Sequence, residues 1–364
     1  MKKEFSKIAI LICLFLSLIF VFINKKTEKI QPPKPENKLI QVEQQLEIEN
    51  AAKQTKPKNP NLTVKSPKHL SYPQIANQIK DWKKEADDLV EIDTYGQTKN
   101  GKELYYIRIN NSFNKTKKPV VLITACIHGN EPLATGITLN YIGYLLDGYG
   151  KNKQITELVD SRDLYFIPVV SPESYPNSRT VGDIDPNRDF PTPKNNEHQS
   201  IPAIMALREF YWKIKPAAIL SGHTFGRLFM TPYGDNYGKS PHESDFNRIV
   251  GKMAEMANYK KIHCAELYAQ PIDGTEVDWF YRNGSIAICA EYGTHQNIPS
   301  HSEIKDEFMR VRDALNYFVM EAPNTTVKVT DEGIDFSKNT GISRKYSRSR
   351  NGELIPIAPY QTQD

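Results

Sequence analysis

The chain has 364 residues, 39% of them hydrophobic and 25% charged, which suits one large globular domain with extensions. Its formal charge is only +4, and the positive excess sits in the flanking stretches Lys53 to Lys68 and Arg344 to Arg350 rather than in the body. Nucleic-acid binding needs a basic footprint on the folded surface and is therefore not expected. The four cysteines, Cys13, Cys126, Cys264 and Cys289, are too sparse for a disulfide scaffold and lack short metal-type spacing. Cys126 and Cys289 fall in apolar runs and read as buried thiols, with a bridge left open for an exported domain.

The first 24 residues read as a targeting segment, not part of the fold. Lys2, Lys3 and Lys7 precede an uncharged apolar run from Ile8 to Ile23. As a helix that run would be about 24 Å long at about 1.5 Å per residue, close to the lower limit for a membrane span. No small-residue cleavage site follows. The expectation is an uncleaved signal anchor over residues 1–24, a helix in the membrane, with a cleaved signal peptide as the alternative. The body would then lie outside the cytoplasm, anchored in the cell envelope or, after cleavage, secreted or periplasmic. Residues 25–66 are rich in Pro, Lys, Glu, Gln and Asn and too poor in apolar side chains to order themselves, so they read as a linker. The globular domain is expected over 67–322, and 323–364 form a polar tail.

Within the body a helix is expected at Tyr72–Ala86, then strands Leu89–Tyr95 and Leu104–Ile109 about a hairpin signal at Asn100-Gly101. Strand Val120–Ile127 leads into helix Leu133–Leu146, followed by strand Leu164–Val170, helix Ala203–Ile214 and strand Ala217–Ser221. Helix Glu243–Met256, strand Ser285–Glu291 and helix Ser302–Glu321 complete the order. Runs such as "PVVLITACI" and "SIAICAEY" are apolar on both faces, as in a sheet covered on each side. The fold class is therefore α/β, a mixed, mostly parallel central sheet with helices on both faces. Sites in such sheets gather outside the carboxyl ends of central strands. His128, His223 and Glu291 all stand at such ends.

His128 and Glu131 can supply two metal ligands from one strand-to-helix turn. Gly129 lets that turn be tight, and Pro132 suits a first helical turn. Taken alone, the pair also fits an acid favoured by a helix N-terminus. His223, in "AAILSGHTFGRLFMTPYG", adds a second imidazole. Two histidines and one carboxylate, with a position open for water, match the donor set of zinc hydrolases. In "DPNRDF", Arg188 offers a planar fork suited to a carboxylate and Asn187 an amide beside it, although the segment alone would read as a surface turn. Glu291 ends an apolar strand, where partial desolvation would raise its pKa toward general-base work.

The segments "HGNE", "DPNRDFP", "SGHTFGRLFMTPYG", "GTEVDW" and "AEYGT" stand in the order in which zinc carboxypeptidases of the carboxypeptidase A-like fold carry them. The chain resembles that family from about Leu89 to Glu321. The resemblance implies one Zn2+ per chain, held by His128, Glu131 and His223, with Asp185 orienting the first histidine from behind. It implies that Asn187 and Arg188 grip the free C-terminal carboxylate of a peptide, that Arg179 polarises the scissile carbonyl, and that Glu291 is the general base. "AQPIDGTEVDWFY" resembles the segment that builds the specificity pocket. Val277 falls on its floor, implying an apolar or small side chain; alternatively, Glu276 beside it could meet an ammonium group, such as that of a diaminopimelate end. The family's substrate-capping Tyr is replaced by Gln270, with Tyr268 two residues earlier. The expected protein is a membrane-anchored metallocarboxypeptidase acting on peptides, with cell-wall (peptidoglycan) stem peptides, as muropeptides, the natural substrate of an envelope enzyme. Two rivals stand beside it. One is a zinc-dependent deacylase of N-acyl amino acids, a sister group that shares "HGNEP"; the other is a non-catalytic envelope protein that binds peptide termini.

Overall fold

A computed structural model of the chain describes residues 70–111, 116–193, 200–235, 238–267 and 271–329, and two short strands at 346–348 and 354–356. The expected signal anchor, the linker, Tyr268, Gln270 and most of the polar tail lie outside the described residues. Among the described residues, no helix is long and apolar enough to cross a membrane.

Helix α1 (Tyr72–Glu85) buries Ile75, Ile79 and Trp82, one face at helical spacing. Strands β1 (Val90–Gln97) and β2 (Glu103–Ile109) pair antiparallel about the expected turn. Gly101 takes φ +74° there, a conformation that glycine adopts without steric cost. Next come β3 (Val120–Ala125), α2 (Pro132–Gly148), α3 (Lys153–Ser161) and β4 (Asp163–Ile167). They are followed by α4 (Pro202–Ile214), β5 (Ala218–Thr224) and β6 (Leu228–Thr231). The body ends with α5 (Glu243–Ala257), β7 (Lys260–His263), α6 (Glu276–Arg282), β8 (Ile286–Tyr292) and α7 (His301–Met320). A separate antiparallel pair, β9 (Tyr346–Arg348) and β10 (Leu354–Pro356), lies beyond it in sequence.

Eight strands form one sheet in the order β1-β2-β4-β3-β5-β8-β6-β7. Its centre, β4-β3-β5-β8, is parallel. Antiparallel pairings occur toward the edges, β1 with β2, β2 with β4, and β6 with β8. Every residue of β5 and β8 is buried, so both faces of the sheet are covered. Helix α2 touches β3 and β5, α6 touches β5 and β8, and α7 packs on α2 and α5. Helices α4 and α6 meet through Tyr211, stacked on Phe280 at 5.5 Å between centroids. Each large side chain so removed from water contributes on the order of 1.5–3 kcal/mol. The central strand ends therefore sit on a well-packed base.

The mixed sheet and its order of elements agree with the sequence reading; the boundaries differ where the backbone turns. Strand β3 stops at Ala125, short of Ile127, because Cys126 takes φ +54° and leaves the extended region. Strand β5 runs past Ser221 to Thr224, so His223 lies within the strand rather than after it. Helices α3 and α6 and strands β6 and β7 were not anticipated. The two strands have four residues each, too few to display a period. Helix α3 starts where the Asn152 side chain accepts the N–H groups of Gln154 and Ile155, a capping signal that the sequence does carry.

Candidate metal centre and its cavity

The turn between β3 and α2 is held against a second loop. A Cβ at Gly129 would lie 2.4 Å from the backbone carbon of Ser174, so only glycine admits this approach. Asn130 N–H donates to the Ser178 carbonyl at 3.0 Å, which brings the next residue, Arg179, to the turn. Gly274 has a like role: with φ +75°, its Cβ would lie 2.4 Å from the Arg188 carbonyl oxygen. It seats the loop before α6 against "DPNR".

His128 and Glu131 stand on that first turn, and His223 reaches them from β5. His128 Nδ1 lies 3.0 Å from Glu131 Oε1, and His223 Nδ1 lies 3.0 Å from Glu131 Oε2. The three side chains are buried, and one ligand atom from each lies within 4.8 Å of the others. The outer nitrogens are also bound: His128 Nε2 is 3.0 Å from Asp185 Oδ1, and His223 Nε2 is 2.9 Å from Glu276 Oε1. Each imidazole thus lies between two carboxylates, which only accept hydrogen bonds, so positive charge is called for among them, carried either by imidazoles protonated on both nitrogens or by a metal ion on the Nδ1 side. With each Nε2 keeping its hydrogen for the outer carboxylate, Nδ1 is the nitrogen left for a metal, and two imidazoles with one carboxylate are a zinc donor set with room for water. The residues present fit one zinc ion.

The electrostatics agree with that fit. Burial would raise Glu131, but the charges and hydrogen bonds of His128 and His223 hold it well below the usual carboxylate range. Burial would lower His223, but Glu131 and then Glu276 hold it well above the ordinary imidazole value. For Asp185 burial again opposes, and the His128 hydrogen bond, the His128 charge and Arg179 push the carboxyl down.

The other expected residues gather around this group. Asp185 Oδ2 accepts from Arg179 Nε at 3.1 Å and Nη2 at 2.9 Å, and Arg179 Nη1 lies 3.8 Å from Glu131 Oε1. Asp185 Oδ1 also accepts from Asn187 N–H at 2.9 Å, opening the single 3-10 turn Pro186–Arg188. Asn187 Oδ1 accepts from Glu276 N–H at 2.8 Å, which turns the amide NH2 of Asn187 the other way. Glu291 is the register partner of His223 across the β5–β8 ladder, so the two side chains share a face of the sheet. A cavity of about 470 Å³ is lined by His128, Glu131, Arg179, Asn187, Arg188, His223 and Glu291. Its remaining wall is largely apolar, with Met230, Leu267, Ile272, Val277 and the thiols of Cys264 and Cys289.

Glu276 departs from expectation. It does not line the cavity; it is 1% exposed and lies behind His223. Its carboxylate is engaged by the imidazole, so Glu276 is not placed to meet a substrate ammonium group. Gln296 was not singled out from the sequence. Its amide donates to Glu131 Oε1 at 3.4 Å and to the Thr224 carbonyl at 3.3 Å, and it lines the cavity. It sits in the loop after β8, where no pattern marks it. The cavity cysteines had a readable signal, since Cys289 stands two residues before Glu291 and so shares its face. Cys126, Cys264 and Cys289 are free and buried, so none of the three forms the bridge left open by the sequence.

The sequence model of the family described as zinc carboxypeptidase matches residues 75–313. A zinc carboxypeptidase of Saccharothrix mutabilis subsp. capreolus is 24% identical over 242 residues, 53% of this chain and 54% of that protein. Carboxypeptidase D of Rattus norvegicus is 25% identical over 305 residues, 70% of this chain and 22% of that protein. The chain thus spans about half the length of the first relative and about a fifth of the second. The carboxypeptidase A structure from Helicoverpa armigera shares the fold, with TM-score 0.64 and 18% identity over 85% of this chain and 86% of that one. With the family's model matching well over half its length, this chain belongs to the zinc carboxypeptidase family.

Proposed function

We propose that the protein is a zinc-dependent metallocarboxypeptidase that hydrolyses the C-terminal amide bond of peptides. The observation that carries this reading is one cavity presenting the metal-ligand group, the Asn187–Arg188 pair, Arg179 and Glu291 together. Zinc, when bound, would supply Lewis acidity and activate water. The remaining work falls to the chain. Arg188, with the Asn187 amide, would hold the terminal carboxylate by charge-assisted hydrogen bonds. That grip selects the last amide, because the bond to be cut lies one residue from the clamp. Arg179 would donate to the carbonyl oxygen as charge develops on it. Glu291 would take a proton from the attacking water and hand it to the leaving amine. The apolar wall at Met230, Leu267, Ile272 and Val277 supports peptides ending in an apolar or small side chain.

Within that class, cell-wall stem peptides are the finer proposal. It is supported by the basic and then apolar N-terminus, which would carry the domain across the membrane and anchor it in the envelope. The test is mass spectrometry of products from peptides, muropeptides and N-acyl amino acids, with and without a chelator. Loss of one C-terminal residue, abolished by chelation, is expected, and the panel member that loses it names the class. Release from N-acyl amino acids alone would move the protein to the deacylases. Peptides bound but uncut would make it a binder of peptide termini.

A further inference from the structure

Glu276 deepens that reading at the same site and rests on it: we infer that Glu276 is a positioning residue for the metal, holding His223 in the tautomer and ring orientation that present Nδ1. The contact is direct, 2.9 Å from Glu276 Oε1 to His223 Nε2. Neither side chain meets solvent appreciably, at 1% and 3% exposure. In so dry a place a charge acts on its neighbour with little screening. Glu276 is itself held, through its N–H to Asn187 Oδ1 at 2.8 Å and as the first residue of α6, which Thr275 caps.

Asp185, behind the other histidine, makes the useful contrast. Its side chain is 23% exposed, and its oxygens are divided among His128, the Asn187 N–H and Arg179. Glu276 Oε2 is buried and accepts no hydrogen bond among the described residues, so the carboxylate is committed to one imidazole. A buried carboxylate with so little compensation is costly unless a cation is close. A divalent ion with Glu131 and Glu276 is neutral overall, while Arg179 balances Asp185. Glu276 therefore completes the charge balance of the metal group as well as its geometry.

The test measures zinc affinity of the full chain by competition with a chromogenic chelator, alongside the melting temperature of the metal-free protein. In Glu276→Gln the side chain can still accept from His223 Nε2, so shape is kept and charge removed. Zinc binding is expected to weaken by about 10–100-fold, more than in Asp185→Asn, while the metal-free protein melts no lower than wild type. Glu276→Asp draws the carboxylate back by one carbon, is expected to lose about tenfold, and decides the matter if Glu276→Gln does not fold. Wild-type zinc affinity in the folded variants overturns the inference. A wild-type chain that binds no zinc, or a His223→Ala chain that binds it undiminished, overturns instead the metal-site reading beneath it.

Discussion

His128 and His223 face the same carboxylate, Glu131, at the same 3.0 Å, yet their surroundings differ. His128 stands in a turn outside β3, backed by the partly exposed Asp185, which also holds an Arg179 side chain that is 41% exposed. His223 stands inside β5, whose neighbours β3 and β8 enclose it, and is backed by the fully buried Glu276. The outer half is where a substrate can compete for hydrogen bonds. The inner half is fixed by the sheet. Under the proposed function this contrast divides the labour: the core would set the metal, and the loop set against Gly129 would meet the reacting carbonyl.

The largest effect should come from the inner half. Glu291→Gln is expected to lower turnover on a cleaved peptide by on the order of 10²–10⁴-fold with zinc content unchanged. Unaltered turnover would remove Glu291 from the chemistry. On the outer half, Arg179→Ala should lower kcat by on the order of 10²–10³-fold. Because that position is open to water, added guanidinium should restore part of the loss; no such rescue would argue that Arg179 is bound as firmly as the inner residues. Next, Val277→Asp should shift the ratio of kcat/KM for basic against apolar C-terminal residues by at least about tenfold. An unshifted ratio would take Val277 out of the specificity wall.

The smallest effect concerns stability. Burial, with Asp235 second, pushes Asp278 up from 3.8 to about 7. Between those values the folded chain keeps a proton that the unfolded chain has released, so stability falls as pH rises through that window. Asp278→Asn should flatten this part of a urea-midpoint profile against pH, and an equally sloped profile would assign the dependence elsewhere.

Much of this site is legible along the chain alone. A residue such as His128, ending an apolar run and followed by Gly129, Glu131 and Pro132, announces a strand-to-helix turn that offers ligands. Glu291 is readable in the same way, at the end of an apolar strand, whereas "DPNR" alone reads as a surface turn and gains a role only from its place among the family's ordered motifs. Glu276 is not legible in that way. It opens a seven-residue helix, too short for a periodic face, and whether it meets substrate or imidazole depends on how α6 crosses β5 and β8. Strand β7 shows the same limit, since Lys260 and Lys261 are polar and its place follows only from register with β6. Chemistry local to one turn is written in consecutive residues, whereas contacts between elements distant in sequence are set by packing.

That His128 Nδ1, His223 Nδ1 and Glu131 would hold the metal, with both Nε2 atoms bound to carboxylates, has one direct test. Anomalous diffraction at the zinc edge from crystals grown with zinc would locate the ion. One zinc per chain is expected, bonded to Nδ1 of His128, Nδ1 of His223 and the Glu131 carboxylate, with Asp185 and Glu276 still on the outer nitrogens. Zinc bonded through either Nε2, or located away from Glu131, would refute this arrangement.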